Sequence, residues 1–252
     1  MPRNARQQSQ TNIYHIMLRG INRQDIFLDD ADCLRFIEIL GECKQLSEFQ
    51  LYAFCLMSNH VHLLLKVGNE PLETIFRRLG TRFVSWYNTK YNRIGHLFQD
   101  RYKSENVDDQ QYFLTVLRYI IQNPMKAGLE TTPGTYRWSS FRAYLEEKGS
   151  ITDISLALQI AGSHTNLINY LKTPNNDQAL EISNFTEHIT DKEAESILIS
   201  ELKLRSSSSL RSLPFDEQTA LVREMHKQGA SPVQIIRLTG MAKATVYKYI
   251  KH

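Results

Sequence analysis

His60 and His62 stand at i, i+2 spacing inside Asn59–Lys66, a segment that reads as a β-strand. Side chains alternate faces along a strand, so both imidazoles project to one side while Val61, Leu63 and Leu65 project to the other. Such a pair is a bidentate platform for a metal ion. An isolated His-x-His can equally be two half-exposed strand histidines. Here the apolar flanks, Phe54-Cys55-Leu56-Met57 and Leu63-Leu64-Leu65, make two adjacent titratable rings costly unless they have a partner. A second group, Tyr119 and Asn123, lies one turn apart on a helix predicted from Asp108 to Asn123. At about 100° per residue, Phe113, Leu114, Leu117, Ile120 and Ile121 gather into its apolar stripe. Tyr119 and Asn123 fall away from that stripe, with Tyr112 close by, so Tyr119 is not expected in the core. A phenol with a pKa near ~10 is a poor nucleophile at neutral pH. It becomes useful where a metal polarises the electrophile and stabilises oxyanion charge, as in metal-assisted phosphoryl transfer. His60, His62 and an Asn123 amide oxygen would leave positions open for phosphate and water. Mixed N/O ligation suits Mn²⁺ or, with more retained water, Mg²⁺, and suits zinc less in the absence of thiolates.

These residues need a scaffold. Asn12–Arg19 reads as a strand, and Asp29 or Asp30 caps a helix whose apolar residues Leu34, Ile37, Leu40 and Leu46 recur at near-helical spacing. Phe49–Leu56 and Val61–Val67 read as strands joined at Ser58-Asn59 into a hairpin. A helix from Leu72 to about Lys90 places Leu72, Ile75, Phe76, Leu79, Phe83 and Tyr87 on one side, with Arg77, Arg78 and Arg82 elsewhere on its surface. A strand near Leu97–Val107 follows, then the helix of Tyr119, which is expected to stop at Asn123-Pro124 because proline lacks a donor and clashes with the preceding turn. The order β-α-β-β-α-β-α suits an α+β layer with helices packed on an antiparallel sheet. Trp138–Lys148 reads as one more short helix.

The C-terminal part has a different character. Residues 151–200 read as an acidic helical connector and Ser206–Ser209 as a linker. Ser231-Pro232 pairs an N-cap with proline at the first helical position, Gly240 ends the short helix Val233–Leu238, and Ala242–Ile250 forms another. Helix, tight glycine turn and helix make the shape of a helix-turn-helix, completed by a helix from Phe215 to about Lys227. Val246 and Ile250 would pack inward, leaving Lys243, Tyr247, Lys248 and Lys251 for DNA. The expected domains are thus residues 11–148, 149–209 and 210–252.

Composition agrees with this division. The 252 residues carry a net charge of only +3, yet residues 1–150, 151–200 and 201–252 carry +3, −5 and +5. A basic terminal module points weakly to nucleic acid. With 42% hydrophobic residues and no long apolar run, the chain is expected to be globular with no membrane span. Met1–Gln10 is polar and has no apolar core of a secretory signal. Cys33, Cys43 and Cys55 are too few and too far apart for a disulfide frame, so a reducing cytoplasm is expected.

The motifs together are specific. Tyr14-His15-Ile16 with Arg19-Gly20, Arg23-Gln24-Asp25-Ile26-Phe27, Met57-Ser58-Asn59-His60-Val61-His62, Phe98-Gln99-Asp100-Arg101-Tyr102-Lys103, Arg118-Tyr119-Ile120 and Asn123-Pro124-Met125-Lys126-Ala127-Gly128-Leu129 occur in collinear order. From about Ile13 to Tyr144 the chain resembles the single-tyrosine HUH transposases, and within them the REP-associated tyrosine transposases. The resemblance implies a ferredoxin-like HUH endonuclease fold acting on single-stranded DNA, often at hairpins flanking a mobile or repeated element. It implies His60 and His62 as the metal-binding pair and Tyr119 as the nucleophile that attacks a phosphodiester, leaving a 5′-phosphotyrosine and a free 3′-hydroxyl. Asn123 stands where such proteins place a third polar ligand, often Gln. Family members commonly work as dimers, so a homodimer is an expectation. The terminal segment lies outside this resemblance and is similar to a resolvase-type helix-turn-helix.

Around this centre, Arg77, Arg78, Arg82, Arg101 and Lys103 are candidate phosphate contacts. Tyr102 and Tyr112 are rival nucleophiles, and His15 and His96 are expected to be structural. Two further readings stand beside the transposase. A domesticated, non-cleaving DNA-binding regulator would have no need of His60, His62 and Tyr119 together. A metal-dependent hydrolase of small phosphoesters would have little use for a helix-turn-helix.

Overall fold

Four segments pair as strands: β1 (Ile13–Arg19), β2 (Gln50–Met57), β3 (His60–Lys66) and β4 (Lys103–Asn106). The sheet order is β2-β3-β1-β4, antiparallel throughout. With α1 (Asp30–Ser47) between β1 and β2 and α2 (Leu72–Lys90) between β3 and β4, this is the ferredoxin-like α+β arrangement, with β1 and β3 at its centre. The computed structural model describes residues 8–146, 151–174, 177, 179, 189, 191–204, 210 and 213–251. No helix among them is long and apolar enough to cross a membrane. Ser206–Ser209, expected as a linker, lies outside the described residues. The described residues form two compact units, 8–21 with 25–179 and 22–24 with 189–251.

In the first unit, α1 and α2 cover one face of the sheet. Ile16, Leu18, Val61, Leu63 and Leu65 point into that layer with Phe36, Leu79 and Phe83. Helix α1 starts in a capping box made by Asp29 and Asp32. Its buried stripe is Cys33, Phe36, Ile39, Leu40 and Cys43, whereas Leu34 and Leu46, expected to face inward, are exposed. A leucine and isoleucine pattern misses this stripe because two of its positions are cysteines, which pack as small hydrophobes. Helix α2 buries the six residues that its periodicity predicts.

The opposite sheet face carries α3 (Gln110–Lys126), which packs Phe113, Leu117 and Ile120 with Cys55, Met57 and Leu64. A register shift between Leu51 and Ala53 puts Tyr52 and Ala53 together on this side. The strand expected over Leu97–Val107 shrinks to β4 and an isolated Gly20–Phe98 bridge, because the polar Gln99-Asp100-Arg101 stretch between them is exposed. Helix α3 also runs past Pro124, which was expected to end it. The proline removes one donor, but Ala127 and Leu129 still donate to the carbonyls of Asn123 and Pro124 at 3.0 and 2.9 Å. The expected Trp138–Lys148 helix is α4 (Phe141–Glu146), with residues 147 and 148 outside the described set.

The acidic stretch is more than a connector. Helices α5 (Ser155–Ala161) and α6 (His164–Lys172) complete the first unit by covering α3. Gln122 Nε2 donates to the carbonyls of Leu171 and Thr173 at 2.7 and 2.9 Å, and Arg118 grips Asp177 with two bonds of 2.6 and 2.9 Å. Helix α3 is therefore buried on two sides. Helix α7 (Asp191–Leu204) belongs instead to the second unit, where it packs with α8 (Phe215–Lys227) and α9 (Pro232–Thr239). With α10 (Lys243–Lys251), these helices enclose Ala194, Leu221, Val222, Met225, Ile235 and Val246. The unit thus has four helices around its core among the described residues, one more than periodicity alone suggested. Ser231 and Gln234 form a capping box with Pro232 at the first helical position, and Gly240, at φ 65°, makes the left-handed turn into α10.

The junction between β3 and α2 depends on Gly68. An added Cβ there would stand 2.3 Å from the Glu48 carbonyl oxygen and 2.4 Å from that of Ser47, both backbone atoms at the end of α1. Gly68→Ala should lower stability by about 1–3 kcal/mol, the range for overpacking. A denaturant-unfolding midpoint equal to that of the parent chain would show that this junction yields freely.

Candidate active site

The hairpin turn delivers His60 and His62 to their places. Met57 pairs with His60 across the two-residue turn. Gly20 N–H donates to the Asn59 carbonyl at 2.9 Å, while Ile26 and Phe27 donate to the Ser58 carbonyl at 2.7 and 3.1 Å. The Arg19-Gly20 and Asp25-Ile26-Phe27 segments therefore clamp the turn from which β3 starts. Alternation then puts His60 and His62 on one face, as predicted, and that face, with Leu64, is turned toward α3.

Four rings converge there. The His60 and His62 centroids lie 5.0 Å apart, Tyr119 meets His62 edge-on at 5.6 Å, and His15 lies 5.1 Å from His62 and 5.9 Å from Tyr119. Asn123, one turn beyond Tyr119, hydrogen-bonds His60. The residues that spacing singled out on a strand and a helix thus share one site. Tyr119, however, is only 4% exposed, contrary to the expectation that it stands clear of the core. The helical pattern misled because the ring packs edge-on against His62 and His15 of the sheet, a contact that periodicity along α3 does not reveal. Lys126 closes over the Tyr119 ring at 4.7 Å and donates to the Asp177 carbonyl at 2.6 Å. Gln122 is turned into the α6 contact and so is no competitor for the place of Asn123.

The histidines are poised as neutral donors. Burial, reinforced by Arg19, lowers the His60 pKa to about 4 despite the Asn123 bond. Burial, then His60 and His15, lowers His62 well below the ordinary value. His60 Nδ1 lies 2.6 Å from Asn59 Oδ1, an oxygen that only accepts, so a proton on Nδ1 serves this contact. No group of three His, Cys, Asp or Glu suited to a metal occurs among the described residues. Two imidazoles and the Asn123 amide are gathered here, donors whose chemistry would suit a divalent ion that retains water and phosphate ligands better than zinc.

Register also identifies residues that sequence reasoning passed over. His15, Met17 and Arg19 of β1 share the histidine face, with Arg19 opposite His60 and Met17 opposite both His62 and Lys103. Lys103 is half-buried, and burial followed by the Arg19 charge lowers its pKa. Arg19 and Lys103 thus bring positive charge to the site. His15, expected to be structural, is fully buried and touches His62, with its Nε2 2.9 Å from His62 Nδ1. The pattern Tyr14-His15 with Arg19 held the signal, since the two have the same strand parity, but only strand pairing reveals what they face.

Other candidates go elsewhere. Arg77, Arg78 and Arg82 stand on α2, which packs on the opposite face of the sheet. Arg77 is exposed. Arg78 makes 2.6 and 2.8 Å bonds to Glu70 and a 2.9 Å bond to Ser47, holding the Glu70 carboxyl near 2, and Arg82 pairs with Glu42 at 2.5 Å. These two guanidiniums tie α2 to its surroundings. Arg101 is exposed in the loop before β4. Tyr102 packs on Phe76 at 4.6 Å, in the other core layer, and Tyr112 hydrogen-bonds Glu105. His96 is exposed in the loop before Leu97. In the second unit Lys243, Tyr247 and Lys248 are exposed along α10 while Val246 and Tyr249 are buried. The Lys251 side chain lies outside the described residues.

Neutral burial of His15, His60 and His62 has a stability consequence. All three are lowered from 6.5, so the unfolded chain binds their protons first as pH falls. Stability should therefore decrease from pH 6.5 toward 4, by about 1.4 kcal/mol per pH unit for each histidine that stays neutral. Guanidinium unfolding at a series of pH values checks this, and His62→Leu should make the slope shallower. A flat profile would contradict the assignment of neutral rings.

Comparison with known proteins agrees with the fold and the C-terminal module. Residues 8–123 match the family model described as "Transposase IS200 like", and residues 215–252 match "Helix-turn-helix domain of resolvase". No curated protein matches the sequence significantly. Among solved structures, the REP-associated tyrosine transposase bound to a REP hairpin is 16% identical, with a TM-score of 0.50 over 62% of this chain and 96% of that one. A protein from Deinococcus radiodurans R1 that is named a transposase is 19% identical over 50% of this chain and 97% of its own, at a TM-score of 0.33, too loose a likeness to carry argument. The chain thus carries a ferredoxin-like α+β region similar to the IS200-like transposases, followed by a segment similar to a resolvase-type helix-turn-helix.

Proposed function

We propose that the protein is a metal-dependent transposase that cleaves and rejoins single-stranded DNA through a 5′-phosphotyrosine on Tyr119. The observation that carries this reading is the convergence of Tyr119, His60, His62 and Asn123 on one sheet face. His60, His62 and Asn123 would hold Mg²⁺ or Mn²⁺, which when bound supplies polarisation of a phosphoryl group and stabilisation of its developing charge. The Tyr119 oxygen attacks phosphorus and its proton leaves to water. The phosphorus–O3′ bond breaks, and the departing oxygen is protonated to a free 3′-hydroxyl. Attack by another 3′-hydroxyl reverses the step and joins strands without an external energy source. Lys103 and Arg19 offer charge to the non-bridging oxygens, and Tyr112, turned to Glu105, is less suited to the attack. The solved relative's REP hairpin suggests a hairpin as the form of the substrate.

The helix-turn-helix would add recognition of DNA near the cleavage site through Lys243, Tyr247, Lys248 and Lys251, the N-terminal part of α10 facing base edges. The three side chains described among them are exposed, which fits this role.

With Mn²⁺ and single-stranded hairpin DNA from the sequence flanking the gene, the full chain should form an SDS-resistant adduct. Tyr119→Phe should abolish it, and the double replacement His60→Ala with His62→Ala should abolish cleavage while the circular dichroism stays the same. An adduct persisting in Tyr119→Phe would remove Tyr119 as nucleophile. Lys248→Ala should weaken binding of the full chain to double-stranded flanking DNA and lower the slope of log affinity against log salt by about 1. An unchanged slope would take Lys248 off the interface.

A further inference from the structure

His62 has a partner on each side of its ring, and the one behind it is unusual. His15 is completely buried on β1, and its Nε2 lies 2.9 Å from His62 Nδ1. Its other nitrogen, Nδ1, lies 3.5 Å from Glu105 Oε2, within ion-pair range but longer than a good hydrogen bond. Glu105 is itself held by Tyr112 and stands opposite His15 in the β1–β4 register. Four residues from β3, β1, β4 and α3 thus form a line that starts at His62 and ends at the half-exposed Tyr112.

Proton positions along this line are linked. Each neutral imidazole carries one N–H and one lone pair. If His15 donated from Nε2, its bare Nδ1 lone pair would face the negatively charged Glu105 carboxylate, an unfavourable arrangement. If His15 instead carries its proton on Nδ1, the positive end of that N–H lies on the side of the Glu105 carboxylate, 3.5 Å away, and Nε2 accepts from His62 Nδ1–H. His62 is then left with its lone pair on Nε2. A nearby carboxylate beyond a metal-bound histidine orients the ring and raises its basicity, and here a second histidine transmits the effect.

We propose that His15 and Glu105 are positioning residues that fix the tautomer and orientation of His62, presenting its Nε2 lone pair to a divalent cation. This rests on the metal-site reading above. Neither residue touches the reacting phosphate; they act only through His62.

The test uses the full chain, with Mn²⁺ as the probe. Long-range ¹H–¹⁵N correlation spectra of the metal-free protein read the His62 tautomer, and Mn²⁺ titration followed by electron paramagnetic resonance reads affinity. The parent chain should show His62 as the Nδ1–H tautomer. His15→Leu and Glu105→Ala should each mix the tautomers and weaken Mn²⁺ binding by about 10–100-fold, the usual effect of losing an outer partner, while Glu105→Gln, which keeps an accepting oxygen, should recover most of the affinity. Should His15→Leu fail to fold, the two substitutions at the half-exposed Glu105 decide the matter. Folded variants that keep the Nδ1–H tautomer and bind Mn²⁺ within about twofold of the parent would overturn the proposal. A parent chain that shows the Nδ1–H tautomer but binds no Mn²⁺ would overturn the metal-site reading and, with it, the presentation of His62 to a cation. Tautomer mixing in the variants would then still show that His15 and Glu105 fix the ring.

Discussion

Strand β3 is buried on both faces, and the rest of the domain is arranged around that fact. Val61, Leu63 and Leu65 are sealed by α1 and α2, and this forces His60, His62 and Leu64 to the side of α3. Shifting the register by one residue would put two imidazoles into the layer of Phe36 and Phe83 and three aliphatic side chains into the site. Burying the imidazoles without partners would be costly, so the hydrophobic layer that stabilises the sheet also enforces the position of the polar pair. The clamped turn at Ser58-Asn59 adds a second restraint, since its carbonyls are taken up by the backbone of Gly20, Ile26 and Phe27.

Helix α3 answers this face with a layer of its own. It is held from outside as well as inside: Arg118 and Gln122, four residues apart, bond to Asp177 and to the end of α6. Lys126, a further turn along, reaches the Asp177 backbone. Tyr119 sits between Arg118 and Gln122 in sequence and turns the other way, toward His62 and His15. The acidic segment after α4 therefore helps to set the direction of the tyrosine. Its negative charge is partly spent inside the fold, with Asp153 on Lys44 and Asp177 on Arg118.

Electrostatics divide the molecule by face. On the α2 side, Arg78 and Arg82 are paired with Glu70 and Glu42 in structural bonds. On the α3 side, Arg19 and Lys103 stand by neutral histidines. The α3 side thus carries positive charge beside uncharged imidazoles, whereas the two guanidiniums of the α2 side are taken up in ion pairs. The net charge of +3 hides this separation, and the exposed Lys243 and Lys248 of the second unit extend the same principle to a separate domain.

Local patterns in the sequence were enough to determine the element order, the hairpin at Ser58-Asn59, the shared face of His60 and His62, the inward side of α2, and the capped helices around Gly240. Each depends on neighbours within a few residues: a period of two or 3.6, a cap, or a glycine turn. Tertiary structure alone decided which side of α3 is open, and it buried Tyr119 where the helical pattern had set it apart. It also carried α3 beyond Pro124, shifted the α1 stripe to Cys33 and Phe36, shared the acidic stretch between two units, and drew His15 and Glu105 in behind His62. These outcomes arise from pairings between segments 40 to 100 residues apart, such as β1 with β3 and β4 or α3 with α6. A residue's periodicity tells which neighbours share its face, but what covers that face is set by chain packing.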